Sequence, residues 1–269
     1  MKITYQISQV APYINWTYFY HAWGMSGKPE AEKAQLRQEA NDALLQMEGR
    51  YHTYALFEIY DAYSEGDDIV LSRGEGAEVR GQRIPCLRQQ QGLPPFFCLA
   101  DYISPTGEDR VGIFATSVSH GLETDFDTDP YQKMLMQLLA DRLAEATAER
   151  MHEEVRKCYW GYAPNEKLSI PEMQVEKFQG IRPAVGYPSL PDTSLNFVLN
   201  ELLDMKQIGI RLTESGAMKP HASVSGLMMA HPHARYFSVG KIGEDQLIDY
   251  ACRRGLPVET LRKFLIANL

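Results

Sequence analysis

The sequence predicts an α+β protein whose central, mainly antiparallel sheet is flanked by helices. Short apolar runs, separated by glycine and proline turns, fill residues 51–119 with no long helix between them. This pattern is typical of antiparallel strands and disfavours βαβ units. Segments with helical spacing of apolar residues lie on both sides of that region. Because the 269 residues contain no repeat, linker or low-complexity tract, we expect one domain over residues 1–269.

The charge and cysteine content exclude several classes of function. A formal net charge of −8 disfavours general binding to nucleic acid or to an anionic membrane. The four cysteines form no C-x-x-C pair, so we expect free thiols in a reducing cytoplasm and no zinc site. The N-terminus lacks the apolar core of a signal peptide, and no apolar run approaches bilayer length. The sequence therefore predicts a cytoplasmic protein without a membrane or nucleic-acid partner.

The first half begins with an aromatic-rich segment, residues 10–28, which we expect to pack on the core around the single amide of Asn15. Pro29 suits the first turn of a helix, and apolar residues then recur at helical spacing to residue 49. Five short strands follow that helix and are bounded by turn residues. Their predicted ranges are 54–59, 69–72, 77–84, 96–103 and 110–118.

A long helix is predicted from Asp129 to about residue 159, because Asp129 is a good N-cap and proline follows it. Met134, Leu138, Asp141 and Glu145 fall on one stripe of this helix. Two carboxylates thus interrupt a face that the spacing predicts to be buried. They either form an internal ion network with a cation such as Arg142 or line a functional site.

The stretch after this helix contains a stiff loop, residues 179–191. Its three prolines cannot belong to a helix interior, and Pro183 favours an extended backbone at Arg182. The loop therefore fixes a cation beside Gly186, where a ligand can approach the main chain.

The last third is predicted to alternate helices and strands. Asp192 is expected to cap a helix that ends near Gly209. Strands are predicted over 210–215, 222–229 and 235–241, and short helices over 244–254 and 257–267.

Common catalytic motifs do not account for these features. The glycines near residue 76 lack Rossmann spacing, no P-loop occurs, and His231 and His233 lack a third metal ligand. What remains is Arg182, the nearby acid Glu176, the helix carboxylates and the aromatic pair Tyr236-Phe237. A guanidinium suits a carboxylate, acids suit an ammonium, and a ring face suits a base. These residues therefore predict a small zwitterionic ligand with an aromatic ring.

Several segments together resemble the activation domain of cobalamin-dependent methionine synthase. The similarity covers nearly the whole chain and is weakest between about residues 50 and 95. A Tyr-Trp-Gly-Tyr-Ala-Pro-Asn-Glu segment followed by Arg182-Pro-Ala-Val-Gly186-Tyr187 is highly specific. The other matching segments are Tyr13-Ile-Asn-Trp16-Thr, Leu99-Ala-Asp101-Tyr, Ala140-Asp-Arg-Leu-Ala-Glu145-Ala, Leu212-Thr-Glu-Ser215 and Ala222-Ser-Val-Ser-Gly226.

The resemblance implies an S-adenosylmethionine site outside the Rossmann methyltransferase fold. It implies that Arg182 holds the ligand's carboxylate and that Asn15 meets the ammonium. Glu176 is expected near the sulfonium with Glu145 in the same cleft, and these two are the candidate catalytic residues. The nucleoside is expected to meet the backbone of the loop and the aromatic pair. Those residues are Ala184, Gly186, Tyr187, Tyr236 and Phe237.

The reaction implied by the resemblance is a rescue of inactive cobalamin. One electron from a flavodoxin-like reductase converts cob(II)alamin to cob(I)alamin, which takes the methyl group of S-adenosylmethionine. Cobalamin is expected only through a partner, a cobalamin-binding methionine synthase module or another corrinoid protein. None of the seven histidines lies in the Asp-x-His-x-x-Gly motif of such modules. We therefore expect a free-standing subunit of a split enzyme or an excised fragment.

Two departures from the family pattern bear on function. The family usually has Asp where this chain has Asn15, and a second Tyr where it has Phe237. Losing the carboxylate removes a Coulomb attraction of about 1–4 kcal/mol at close range. A second reading is therefore a docking module, for a cobalamin protein or for flavodoxin, with a weakened ligand site. A third is an independent small-molecule methyltransferase.

An acidic reductase would require a local basic patch on this acidic chain. Arg253, Arg254, Arg262 and Lys263 near the C-terminus either form such a patch or belong to a solvated helix face, which is the commoner explanation for residues of this kind.

Overall fold

The computed structural model describes residues 1–73, 81–106, 109–126 and 129–269. Six of the described strands form one sheet, in which β4, β3, β2, β5 and β8 are consecutive neighbours and β1 pairs with β2; every pairing is antiparallel. The strands are β1 (Lys2–Gln6), β2 (His52–Glu65), β3 (Asp68–Arg73), β4 (Arg83–Pro85), β5 (Asp109–Val118) and β8 (Ser223–Met228). A separate hairpin pairs β6 (Arg211–Leu212) with β7 (Met218–Lys219).

Strand β2 is the axis of the sheet because it is long enough to serve three partners. One edge pairs with β5 from Thr53↔Val118 to Ala62↔Asp109. The other edge pairs first with β1 and then with β3, and the β3 pairing shifts its register between Asp61 and Ala62. Since side chains alternate along these strands, each face of the sheet receives its own apolar set.

Helices cover both faces of the sheet. They are α1 (Ile7–Val10), α2 (Trp16–Ala22), α3 (Glu30–Met47), α4 (Pro130–Glu154), α5 (Ile170–Gln174), α6 (Leu195–Leu203), α7 (Glu244–Arg254) and α8 (Val258–Phe264). Phe57 and Phe114 pack on the α4 side of the sheet, whereas Leu56 and Ile113 pack on the α6 side. A third apolar cluster joins α7 and α8. No helix in the described part of the chain combines the length and apolarity needed to span a bilayer.

Helix α4 begins as its sequence predicts, since the Asp129 carboxylate accepts the Tyr131 N–H at 2.9 Å and Pro130 follows the cap. The helix lies across the sheet, where Thr116 Oγ1 donates to the carbonyl of Ala144 at 3.0 Å. It ends in one π-turn over Val155–Tyr159.

The prediction that the α4 stripe beginning at Met134 is buried was wrong. Met134 is 47% exposed, and the buried face instead carries Leu135, Leu139 and Leu143. The stripe that includes Asp141 and Glu145 therefore lies at the boundary between the buried and the exposed face of the helix. Carboxylates there keep contact with solvent, which avoids the cost of burying unpaired charge.

Two predicted strands are not strands. Residues 96–103 contain a single bridge, Arg88↔Cys98, followed by the 3₁₀ turn Leu99–Tyr102. Residues 235–241 form no ladder; instead Val239 N–H donates to the carbonyl of Pro188 at 2.9 Å. In both places apolar side chains pack on the core while the backbone bonds to loops, which a strand pattern does not distinguish. Of the range 77–84, residues 77–80 lie outside the described residues.

The predicted C-terminal basic patch is largely neutralised. Arg253 pairs with Asp68 at 2.5 Å, and Arg262 pairs with Glu244 at 2.6 Å. Arg254 is 5% exposed at its side chain and donates to Ser194 Oγ at 2.8 Å. These three guanidiniums are therefore paired within the fold, which disfavours the alternative of a free basic patch formed by them.

Candidate functional site

A cleft of about 660 Å3 lies between α4, α2 and the loop of residues 181–189. It collects side chains that are far apart in the sequence, because α4 and the loop meet beside strand β8. Eight of the nine residues predicted for the site line this cleft: Asn15, Glu145, Glu176, Arg182, Ala184, Tyr187, Tyr236 and Phe237.

Gly186 is the predicted residue that does not line the cleft. Its N–H donates to the carbonyl of Leu190 at 2.8 Å, and its φ of +88° lies in the left-handed region that favours glycine. The neighbouring Tyr187 N–H donates to the Ala184 carbonyl at 3.2 Å. Gly186 therefore shapes the turn that presents Ala184 and Tyr187.

The loop is held against β8 by backbone hydrogen bonds. Val185 N–H donates to the Ser225 carbonyl at 2.8 Å, and Leu227 N–H donates to the Pro183 carbonyl at 3.0 Å. Contact is close because Gly226 has no side chain: a Cβ there would lie 2.1 Å from the Pro183 oxygen. The stiffness predicted from the prolines is thus reinforced by the sheet edge, and the position of the loop depends on Gly226.

Arg182 is a buried cation on the wall of the cleft. Its Nη2 donates to Glu149 Oε1 at 2.5 Å, and its backbone N–H donates to the Tyr236 hydroxyl at 2.8 Å. Burial, the largest single influence, lowers the pKa of Arg182, but Glu149, Tyr236 and Glu145 together outweigh burial and raise it. Its Nε is buried and has no hydrogen-bond partner among the described residues. One carboxylate therefore leaves this guanidinium incompletely satisfied.

Two further carboxylates face the same space. Glu145 accepts a hydrogen bond from the Tyr187 hydroxyl at 2.6 Å. Glu176 follows α5 with a φ of +59°, a backbone conformation that non-glycine residues seldom adopt. Burial and the neighbouring Glu149 raise the pKa of Glu176, and Arg182 partly opposes them.

Asn15 lies at the mouth of the cleft as the N-cap of α2. Its Oδ1 accepts the N–H groups of Thr17 at 3.1 Å and Tyr18 at 3.4 Å. The side-chain oxygen that would meet a ligand's ammonium is thus already engaged in capping the first turn of the helix. The amide can offer a further acceptor only by sharing that oxygen.

Apolar and aromatic side chains form the rest of the wall. They include Met173, Phe178, Tyr236 and Phe237. Burial is the main cause that raises the pKa of Tyr236, to about 12, so its hydroxyl stays protonated at neutral pH. Such a wall suits one face of a planar base.

A buried ion pair supports this wall from behind. The guanidinium of Arg156, 0% exposed at its side chain, binds the Glu166 carboxylate at 2.6 Å and lies 4.3 Å from the Phe178 ring centroid. The Phe178 ring also meets the buried ring of His152 edge-on. Burial and the neighbouring Arg156 keep the pKa of His152 well below its ordinary value, so its ring stays neutral.

The sequence predictions missed two charged residues of the cleft, Glu149 and Arg142. Both lie on α4, and Glu149 is four residues beyond Glu145. Helical spacing alone places Glu145 and Glu149 on one face, so this signal was available. What the sequence does not reveal is that Glu149 contacts Arg182, which lies 33 residues further along the chain.

Comparison with known proteins agrees with this fold and cleft. The family model for the activation domain of vitamin B12 dependent methionine synthase matches residues 6–255. A crystal structure of the MetH reactivation domain bound to AdoHcy is 39% identical, with a TM-score of 0.91. That match covers 100% of this chain and 90% of the other. The fold is thus shared with that structure, and the family model spans nearly the entire sequence. The chain belongs to the family of activation domains of vitamin B12 dependent methionine synthase.

Proposed function

We propose that this chain binds S-adenosylmethionine in the cleft and supports the reductive methylation that reactivates cobalamin on a partner protein. The observation that carries the proposal is Arg182, a buried and incompletely satisfied guanidinium beside acidic and aromatic walls. A family member that is 39% identical over the whole chain was crystallised with AdoHcy, the demethylated form of the same ligand.

The proposed roles follow from the chemistry of each side chain. Arg182 binds the ligand's carboxylate, because a guanidinium presents several donors to a planar anion. Glu145 and Glu176 face the positively charged sulfonium and ammonium. Tyr236 and Phe237 pack against the adenine, and the turn at Ala184 and Tyr187 contacts the nucleoside. Gly186 acts by shaping that turn.

S-adenosylmethionine supplies an activated methyl group, and the partner's reduced cobalamin supplies the nucleophile. The residues of this chain therefore need no general base. They hold the ligand in one orientation, exclude water with the aromatic wall and keep the sulfonium end accessible to the partner. Positioning of this kind is a sufficient catalytic contribution when both reactants are already reactive.

The partners in this proposal are a cobalamin-binding methionine synthase module or corrinoid protein, and a flavodoxin-like reductase. Mixing this chain with a cobalamin module, a one-electron donor and S-adenosylmethionine gives methylated cobalamin, which is followed by its absorbance. Omitting this chain serves as the control. Methylation at the same rate without it would contradict the reactivation role.

Binding is tested by titration calorimetry with two ligands. S-adenosylmethionine carries the carboxylate, whereas 5′-methylthioadenosine lacks it. Because Lys keeps the charge but not the planar fork, Arg182→Lys is expected to weaken S-adenosylmethionine binding about 10-fold and to leave methylthioadenosine unchanged. The matched control is Arg110→Lys, on β5 and outside the cleft. No binding at millimolar S-adenosylmethionine, or equal effects of both substitutions, would refute the site.

A docking module with a weakened ligand site is the second candidate, and the capping role of Asn15 favours it. Asn15→Asp restores a carboxylate that can both cap α2 and attract the ammonium. If the cleft is a ligand site, this substitution tightens S-adenosylmethionine binding about 5- to 10-fold. If the wild-type chain captures a cobalamin protein without ligand, and Asn15→Asp leaves the affinity for S-adenosylmethionine unchanged, the docking hypothesis replaces the hypothesis of a functional S-adenosylmethionine site.

A further inference from the structure

The cleft carries a formal charge of −1. Among the described residues that line it, the carboxylates are Glu145, Glu149 and Glu176, and the guanidiniums are Arg142 and Arg182. Asn15 adds no charge. S-adenosylmethionine carries +1 through its carboxylate, ammonium and sulfonium, whereas the thioether that remains after methyl loss is neutral overall. The charge of the cleft therefore complements the first ligand better than the second.

Glu149 is the carboxylate that contacts the buried cation of the cleft, Arg182. Its side chain is 30% exposed and lies 2.5 Å from the Arg182 guanidinium, which is 6% exposed. Such a contact restrains the guanidinium on one side, at Nη2, while Nε has no partner among the described residues. The cation is thus held in place but retains donor capacity. A second carboxylate, that of a ligand, would complete it.

The same carboxylate acts on the rest of the cleft. It is the charge nearest to Arg182 and it also influences Glu176 across the cleft. Because Asn15 is uncharged, Glu149 accounts for one of the three negative charges among the described residues that line the cleft. Its removal would leave the cleft formally neutral.

We propose that Glu149 is a specificity-determining residue: it positions Arg182 for the ligand's carboxylate and supplies the charge by which the cleft favours the cationic sulfonium over the neutral thioether. The inference rests on the proposed function, since it concerns the same site. It gives the site a way to release the demethylated product while admitting a new methyl donor. Discrimination is a difference between two affinities, so one charge that acts on only one ligand is enough.

Calorimetry with S-adenosylmethionine and S-adenosylhomocysteine separates the two roles. Glu149→Gln keeps the length and the acceptor atom but removes the charge, so the ratio of the two dissociation constants moves about 5-fold toward equality. Glu149→Asp keeps the charge but shortens the reach to Arg182. This variant is expected to weaken both ligands about equally and to preserve the ratio. Glu201→Gln removes the same charge from α6, outside the cleft, and leaves both constants unchanged.

The outcomes distinguish this inference from the proposed function. Wild-type chain that binds neither ligand would overturn both. Wild-type binding with the same ratio in Glu149→Gln, or with an equal loss of selectivity in Glu201→Gln, would overturn the inference alone. A collapse of the ratio in Glu149→Asp would also contradict it, and circular dichroism of each variant shows that the fold is retained.

Discussion

Replacing Gly226 by alanine tests whether the sheet edge positions the ligand loop. The added Cβ would lie 2.1 Å from the Pro183 oxygen and 2.8 Å from the Ala184 Cα. Both neighbours are backbone atoms, so the loop itself has to move by about 1 Å to restore van der Waals distance. The same displacement stretches the hydrogen bond from Leu227 N–H to the Pro183 carbonyl, now 3.0 Å.

The expected magnitude combines two effects. Forcing extra volume into a packed site typically costs 1–3 kcal/mol, and each weakened hydrogen bond about 0.5–1.5 kcal/mol. We therefore expect Gly226→Ala to lower the free energy of unfolding by about 2–4 kcal/mol. Since Arg182 lies on the same loop, the affinity for S-adenosylmethionine should fall about 10-fold or more.

Urea unfolding measures the first effect and calorimetry the second. The matched control is Gly112→Ala on β5, where the added Cβ would lie 2.8 Å from Met228 Cε and 3.0 Å from Met228 Cβ. That substitution is expected to cost stability while leaving ligand affinity within about twofold, because none of the three nearest atoms belongs to the loop that carries Arg182. Unchanged stability and affinity in Gly226→Ala would refute the reasoning.

Two further predictions concern buried charge and pH. Glu166→Gln leaves the fully buried Arg156 without a counter-charge, so the free energy of unfolding measured in urea should fall by about 3–5 kcal/mol. The control Glu30→Gln breaks a surface pair with Lys33 and should not change the urea midpoint. Equal urea midpoints for the two variants would contradict the prediction. Burial raises the pKa of Glu176 above its ordinary 4.5, so the folded chain keeps this proton to a higher pH than the unfolded chain. The ionisation of Glu176 therefore lowers the stability of the fold as pH rises from 4.5 through the folded-state pKa. Glu176→Gln should therefore raise the melting temperature at pH 7 but not at pH 3, and an equal gain at both would contradict the assignment.

Local features of this chain were predictable because they depend on neighbouring residues. Asp129 and Pro130 determine where α4 begins, and the prolines around Arg182 exclude a helix there. Apolar spacing also located both ends of β5 within one residue and the start of β2 within two, although β2 continues six residues beyond its predicted end. The resemblance to a known family then supplied the ligand and the candidate residues, eight of which line one cleft.

Errors arose where long-range packing overrides a local pattern. The apolar residues of 96–103 and 235–241 do pack on the core, but the backbone of these segments bonds to loops, as at Phe97 and Val239. Likewise, the apolar spacing of α4 identified an incorrect face, because contacts with the sheet selected the stripe of Leu135, Leu139 and Leu143. The pairing of Arg253 with Asp68 and of Arg254 with Asp192 was not evident, because these carboxylates are distant in the sequence.

The sequence by itself determined the fold class, the capped helix, the stiff loop with its cation and the family. Only the tertiary structure decided that Glu149 pairs with Arg182, that the side-chain oxygen of Asn15 caps α2, and that Gly226 permits the loop to lie on β8. Turns, caps and helical spacing are set by a few adjacent residues. The partner of a buried charge and the clearance beside a strand depend on segments that meet only when the chain has folded.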